Sequence, residues 1–114
     1  MSIRRIEPGA RMSGAVVHGN TVYLAGQVGN PGEDVVAQTK TVLSEIDRLL
    51  AEAGTDKSRI LQATVWLESM DDFAAMNGVW DAWVDKANPP ARATGESRLA
   101  TSDYKVEIIV IAAI

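Results

Sequence analysis

The spacing of the apolar residues changes repeatedly along this chain of 114 residues, and the order of the changes limits the possible folds. A period of two is typical of a strand with one buried face, whereas a period of three to four is typical of an amphipathic helix. This succession predicts the element order β-β-α-β-α-β-β and therefore an α+β protein with a mixed sheet. The helical period occurs twice, once between 21–28 and 60–68 and once between 60–68 and 91–96. The strand period covers 15–18, 21–28, 60–68, 91–96 and 104–114.

Both segments with the helical period have recognisable ends. Asp34 supplies an N-cap oxygen and Gly54 a glycine at the C′ position, so we expect the first helix over 34–53. The second helix is expected to open with the acidic segment 69–72 and to stop at Asn88-Pro89-Pro90, because proline cannot continue a helix. Right-handed crossovers then place both helices on one face of the sheet.

The opposite face of the sheet has no predicted helix, and its residues are not uniformly polar. Strand alternation assigns Tyr23, Trp66, Ile109 and Ile111 to it. Because an exposed apolar patch usually marks an interface, we expect a homo-oligomer that packs through this face. The alternatives are a reversed register in the last strand, or singly exposed apolar residues of the kind that any surface has. The same alternation assigns to the helix side the hairpin residues Val22, Leu24 and Val28.

Composition excludes several kinds of site. The chain has no cysteine and one histidine, so it can form neither a thiolate centre nor a multi-histidine metal site by itself. His18, beside the Gly19-Asn20 turn, is expected to be an exposed turn residue. A net charge of −4 argues against nonspecific nucleic-acid binding. Without a signal peptide or a run of about 20 apolar residues, we expect one cytoplasmic domain over 1–114 that does not contact a membrane.

The segment Pro89-Pro90-Ala91-Arg92-Ala93-Thr94 is the strongest candidate for a binding site. Two prolines stiffen the entry to a strand, and the small neighbours of Arg92 allow a ligand to approach the backbone. A guanidinium held on a strand is suited to bidentate capture of a carboxylate. The residues alone slightly favour the alternative, a surface arginine paired with an acidic side chain.

A series of short motifs runs along nearly the whole chain. It comprises Gly19-Asn20, Ala25-Gly26-Gln27, the segments 63–67 and 72–77, Pro90-Ala91-Arg92 and the segment 105–108, together with Ala10-Arg11-x-Ser13 at the start, the helix 77–84 and Tyr104 before the last strand. In order and spacing the series resembles the RidA (YjgF-type) family of reactive-intermediate deaminases, and it is most similar to the YoaB-like branch. The resemblance implies a chorismate-mutase-like α+β fold with two helices packed on one face of a mixed β-sheet. It also implies a homotrimer with clefts between its subunits.

The family's activity is the hydrolysis of enamines and imines of 2-amino acids to 2-keto acids and ammonia, without a cofactor or a metal. The resemblance therefore implies a hydrolase like the 2-iminobutanoate/2-iminopropanoate deaminases. In it, Arg92 would hold the substrate carboxylate, and Thr94 would stand where the family has a cysteine. The alternative is a trimer that binds small carboxylates or reactive imines without efficient turnover.

The resemblance also implies further substrate-binding residues and several departures from the family. Met12 stands in place of a tyrosine, and Ala25 stands in place of a serine before Gly26. Ile109 falls at the position expected for the glutamate that helps to place the attacking water, and Glu107 lies about 7 Å before it along the strand.

Two further residues of the implied substrate-binding set have open roles. Asn77 lies on the apolar stripe of the second helix, where we expect it to find a hydrogen-bond partner in a neighbouring loop. Arg11 is either a second cation at the cleft mouth or a surface arginine.

Overall fold

One sheet of seven strands forms the scaffold, in a computed structural model that describes residues 1–114. The spatial order is β1-β2-β3-β7-β5-β6, and β4 pairs with β7 beyond the end of β3. Only β5 and β6 run parallel, and α2 lies in the crossover between them. The strands are β1 (Ile3–Pro8), β2 (Ser13–His18), β3 (Thr21–Leu24), β4 (Gln27–Val28), β5 (Ile60–Leu67), β6 (Ala91–Glu96) and β7 (Val106–Ala113), and the helices are α1 (Val35–Ala53) and α2 (Phe73–Trp83).

Both helices cover the same face of the sheet, so the predicted α+β class with a mixed sheet is confirmed. The central strand β7 alternates strictly, with Val106, Ile108, Val110 and Ala112 buried toward the helices. The core between the layers also contains Ile46 and other apolar residues of α1. Neither helix is both long enough and apolar enough to span a bilayer.

Local end signals define α1 as predicted. The Asp34 carboxylate accepts a hydrogen bond of 2.8 Å from the amide of Ala37. Gly54 ends the helix with a φ of 88°, a left-handed conformation that favours glycine. These two residues define the ends of the helix through contacts within its first and last turns.

The second helix begins and ends differently from the prediction. Ser69 caps a short 3₁₀ turn over Met70–Asp72, and α2 starts only at Phe73. It ends at Trp83 rather than at Asn88, because Val84 is extended with a ψ of 143°. The Asp85 carboxylate then accepts hydrogen bonds from the Ala87 amide and the Asn88 side chain, at 3.0 and 3.3 Å. This turn replaces the predicted last helical residues.

One strand was not predicted, and one predicted strand is divided in two. In β1 only Ile6 is buried, so the strand carries no apolar alternation. The predicted strand 21–28 is interrupted at Ala25-Gly26, and its last two residues form β4 in the opposite phase. Val28 therefore pairs with Glu107 and is 37% exposed, so its assignment to the helix side was wrong.

The sheet face without helices contains the apolar residues that alternation assigned to it. Tyr23 is 47% and Trp66 37% exposed, and Ile109 and Ile111 are half-buried beside them. The register confirms the shared face, since Tyr23 pairs with Ile111 and the neighbouring pair joins Thr64 to Ile109. His18, at the end of β2, is exposed as expected.

Candidate functional site

Strand β6 directs Arg92 and Thr94 toward the helices. Arg92 pairs with Ala63 and Thr94 pairs with Val65, and both partners are completely buried in the core between sheet and helices. Because paired residues of neighbouring strands point to the same face, Arg92 and Thr94 lie under the helix layer. Since β6 is an edge strand, this position is close to the rim of the sheet.

The guanidinium of Arg92 stacks on an aromatic ring instead of pairing with an acid. Its Cζ lies 5.0 Å from the centroid of the Trp80 ring, within cation–π range. Arg92 forms no salt bridge, and its buried Nη1 has no hydrogen-bond partner. The alternative of an arginine neutralised by a surface carboxylate is therefore not what the structure contains.

Two more buried polar atoms lack partners. They are the Oδ1 of Asn77 on α2 and the Oγ1 of Thr94 on β6. Asn77 was expected to bond a neighbouring loop, and its Oδ1 makes no such bond. Asn77 is three residues before Trp80 and therefore shares its side of the helix. Buried polar groups are normally satisfied, so a guanidinium donor, an amide acceptor and a hydroxyl without partners make this place a candidate for ligand binding.

The remaining predicted residues gather at the break between β3 and β4. The amide of Ala25 donates a 2.9 Å hydrogen bond to the carbonyl of Gly14, just after the β1–β2 connection. That connection carries Arg11 and Met12, both exposed, on a surface depression of about 540 Å³. Arg11, Met12, Ala25 and Gly26 therefore belong to one end of the sheet.

A carboxylate contacts Gly26. A Cβ built on Gly26 would overlap the Oε2 of Glu107 and would lie 2.9 Å from its Cδ, so a larger residue at position 26 would require the Glu107 side chain to move. Glu107 pairs with Trp66 and with Val28, which places it on the face without helices. Ile109 lies two residues further along β7 on that face, beside Thr64.

The predicted site residues, together with Trp80 and Glu107, thus form two groups on opposite faces. The anchor group, which we define as Arg92, Thr94, Asn77 and Trp80, lies under the helices. The carboxylate group, which we define as Gly26 and Glu107 with the 9–12 connection beside them, lies at one end of the sheet. None of the four surface depressions of the chain is lined by Arg92, Thr94 or Asn77. Within a single chain, the sheet therefore separates the two groups.

Comparison with known proteins decides the family. The model of the family described as Endoribonuclease L-PSP matches residues 2–114. A RutC family protein of Haemophilus influenzae is 48% identical over 98% of both chains. The RutC family protein YoaB of Escherichia coli is 45% identical over the full length of both. The chain is a member of the RidA/YjgF family. A crystal structure of a YjgF family member from Neisseria meningitidis superposes with a TM-score of 0.97 at 46% identity, covering 99% of this chain and 95% of that one.

Within this RidA/YjgF chain, two residues have a larger part in the site than the sequence predicted. Trp80 was not among the predicted site residues, and the structure places the Arg92 guanidinium over its ring. The spacing of three from Asn77 is the signal that could have drawn attention to it. Glu107 was not among the predicted site residues either, yet its carboxylate contacts Gly26. No local pattern connects residues so distant in sequence.

Proposed function

We propose that this protein is a cytoplasmic homotrimer that hydrolyses 2-imino and enamino acids to 2-keto acids and ammonia. The observation that carries the proposal is the guanidinium of Arg92, which is partly buried, has no acidic partner and has a free Nη1. The permanent charge of such a substrate is its carboxylate. A guanidinium fork fits a carboxylate in a bidentate manner, and these charge-assisted hydrogen bonds fix the orientation of the small molecule.

The second residue of the proposed reaction is Glu107. We assign to it the water-positioning role that the sequence comparison placed at position 109. An enamine first takes a proton on carbon to become the imine. Water then adds its oxygen to the imine carbon, and the nitrogen gains a proton. The hydroxyl proton of the resulting carbinolamine passes to the nitrogen, the carbon–nitrogen bond breaks to release ammonia, and the oxygen becomes the carbonyl of the 2-keto acid. A carboxylate near the imine carbon would orient the water and accept its proton.

The separation of the anchor group from the carboxylate group supports a trimer. Because Arg92 and Glu107 lie on opposite faces of one sheet, the same chain cannot present both to one small ligand. Cyclic association through the face with Tyr23, Trp66, Ile109 and Ile111 would bury these apolar residues. It would also bring the carboxylate group of one subunit to the anchor group of the next. Each cleft would then be completed by two subunits.

The family description also names endoribonuclease activity, and the charge of this chain argues against it. Its net charge is −4, and its single histidine is exposed at the end of β2. An RNA-cleaving site normally needs cations to hold the phosphates and a general base close to them.

The direct test generates 2-iminobutanoate in solution with an amino-acid oxidase and follows release of the 2-keto acid. The wild type should accelerate release over buffer. Arg92→Ala should reduce kcat/KM by about 30- to 1000-fold, the cost of losing a charge-assisted contact. Arg98→Ala removes an exposed loop arginine and serves as the control.

The alternative function predicts a different result in the same experiment. A binding protein would give no acceleration for any imine tested, while binding 2-oxobutanoate in an Arg92-dependent manner. That outcome would contradict the deaminase proposal. The oligomeric state of each variant is measured in parallel, so that loss of assembly is recognised.

A further inference from the structure

The ring of Trp80 provides the contact that positions the guanidinium of Arg92. We propose that Trp80 is a positioning residue, which holds the Arg92 plane and keeps its N–H groups free for a substrate carboxylate. This inference rests on the proposed function, in which Arg92 is the carboxylate anchor. Three observations support it: the 5.0 Å distance from the Cζ of Arg92 to the centroid of the Trp80 ring, the lack of a salt bridge to Arg92, and the unpartnered Nη1 of Arg92.

Stacking differs chemically from pairing with an acid. A carboxylate partner would occupy the guanidinium fork and neutralise its charge. An aromatic face attracts the guanidinium without accepting hydrogen bonds from both arms of its fork, and Nη1 of Arg92 is without a partner. A substrate carboxylate then meets an oriented cation and need not displace another acid.

The ring of Trp80 is itself held firmly. Trp80 is only 6% exposed, and its ring centroid lies 5.3 Å from that of Trp83 at an interplanar angle of 56°. The indole nitrogen of Trp83 donates a 3.0 Å hydrogen bond to Asp47 on α1. On Trp83, the Nζ of Lys57 lies 5.3 Å from the ring centroid. The face that Arg92 contacts is therefore anchored to the helix layer.

The test compares Trp80→Leu with Trp80→Phe. Leucine fills space but offers no π face, so Kd for 2-oxobutanoate and KM for the imine should both rise by about 3- to 30-fold. The value of kcat should change less than KM, because the carboxylate is held alike in ground and transition states. Phenylalanine keeps a ring face and should restore most of the affinity.

Met76→Ala is the matched control. Met76 is a fully buried residue of α2, so its truncation destabilises the core without removing the ring on Arg92. It should lower the melting temperature at least as much as Trp80→Leu, with little change in KM. A merely structural role for Trp80 predicts that KM follows stability in all three variants, and that result would overturn the inference.

Arg92→Ala, measured beside these variants, separates the two proposals. If it leaves the affinity for 2-oxobutanoate unchanged, the carboxylate anchor itself is wrong. If it weakens binding while Trp80→Leu does not, only the positioning role of Trp80 is refuted. Weaker binding in both, with recovery in Trp80→Phe, supports both proposals.

Discussion

Arg92 and Glu107 lie on opposite faces of the same sheet, Arg92 under α2 and Glu107 against Gly26 on the face without helices. Each group has the chemistry of half a site: a free cation that can hold a carboxylate, and a carboxylate that can orient water. Since the sheet separates them within one chain, the proposed site would be complete only with a second copy. This arrangement makes activity and assembly inseparable in the proposed enzyme.

Replacing Gly26 tests the close approach of Glu107. In Gly26→Ala the new methyl group overlaps the Glu107 carboxylate, so this side chain must move. We expect kcat/KM to fall by about 10- to 100-fold from the displaced carboxylate.

Gly78→Ala is the control for that substitution. No atom lies within 4 Å of a Cβ at this exposed position of α2, so alanine should stabilise the protein by about 0.5–1 kcal/mol and leave turnover unchanged. Equal turnover in the two variants would show that the Gly26–Glu107 contact is irrelevant to the reaction.

The fold was predictable where its signals are local. Asp34 and Gly54 define α1 to within one residue, because a cap acts on its own turn. The strand β1 was not predictable, because Ile6 is its only buried residue and the strand therefore has no alternation of apolar and polar residues. The early end of α2 was not predictable either, because the sequence up to Asn88 allows a helix to continue. In the structure, the Asp85 side chain accepts hydrogen bonds that form a turn there instead.

The site was predictable only in part. Arg92 was singled out from its two prolines and small neighbours, and in the structure Arg92, Thr94 and Asn77 each have a buried polar atom without a hydrogen-bond partner. The stacking of Trp80 on Arg92 and the contact of Glu107 with Gly26 arise from packing between elements. A linear pattern does not contain such contacts.

Gln38 should be the polar residue on which stability depends most. It is completely buried, and its amide nitrogen donates 2.8 Å hydrogen bonds to the carbonyls of Glu33 and Asp103. Its oxygen accepts a 2.8 Å bond from the amide of Lys105. Gln38→Leu leaves three backbone groups without these partners, so the free energy of unfolding in urea should fall by about 2–4 kcal/mol.

The comparison variant for Gln38 is Thr39→Val. Thr39 is equally buried, but its hydroxyl bonds only the Val35 carbonyl within the same helix. Its replacement should cost about 1 kcal/mol or less. Similar losses for both variants would show that Gln38 does not tie the two loops to α1.

The pKa of Glu7 should depend on Arg48. Hydrogen bonding from the Arg48 side chain holds the pKa of the Glu7 carboxyl below its ordinary value. A depressed pKa in the folded state means that the ion pair stabilises the protein above the ordinary carboxyl pKa. This contribution is lost as pH falls through the folded-state value. Carboxyl ¹³C NMR titration should show the low pKa, and Arg48→Met should restore the ordinary one; an unchanged pKa in that variant would refute the assignment.

Association through the face without helices should be sensitive to charge. Tyr23 is 47% exposed in the single chain, so Tyr23→Glu should leave the core packing intact. If copies pack on this face, the substitution would bury an unpaired carboxylate in the interface. Light scattering should then give the mass of one chain instead of three, with a retained circular dichroism spectrum and lost turnover. Ser44→Glu adds the same charge on the exposed side of α1 and should stay trimeric. A trimeric Tyr23→Glu protein would exclude this face as the interface.

Mixing two inactive variants tests most directly whether each site is built from two copies. Arg92→Ala and Glu107→Gln are each purified, unfolded together at equal concentrations and refolded, and imine hydrolysis is measured. In random cyclic trimers, about one quarter of the clefts combine an intact Arg92 from one chain with an intact Glu107 from the next. The account predicts recovery of about a quarter of the wild-type activity. Activity no higher than that of the separate variants, in mixtures shown to contain hybrid trimers, would contradict it.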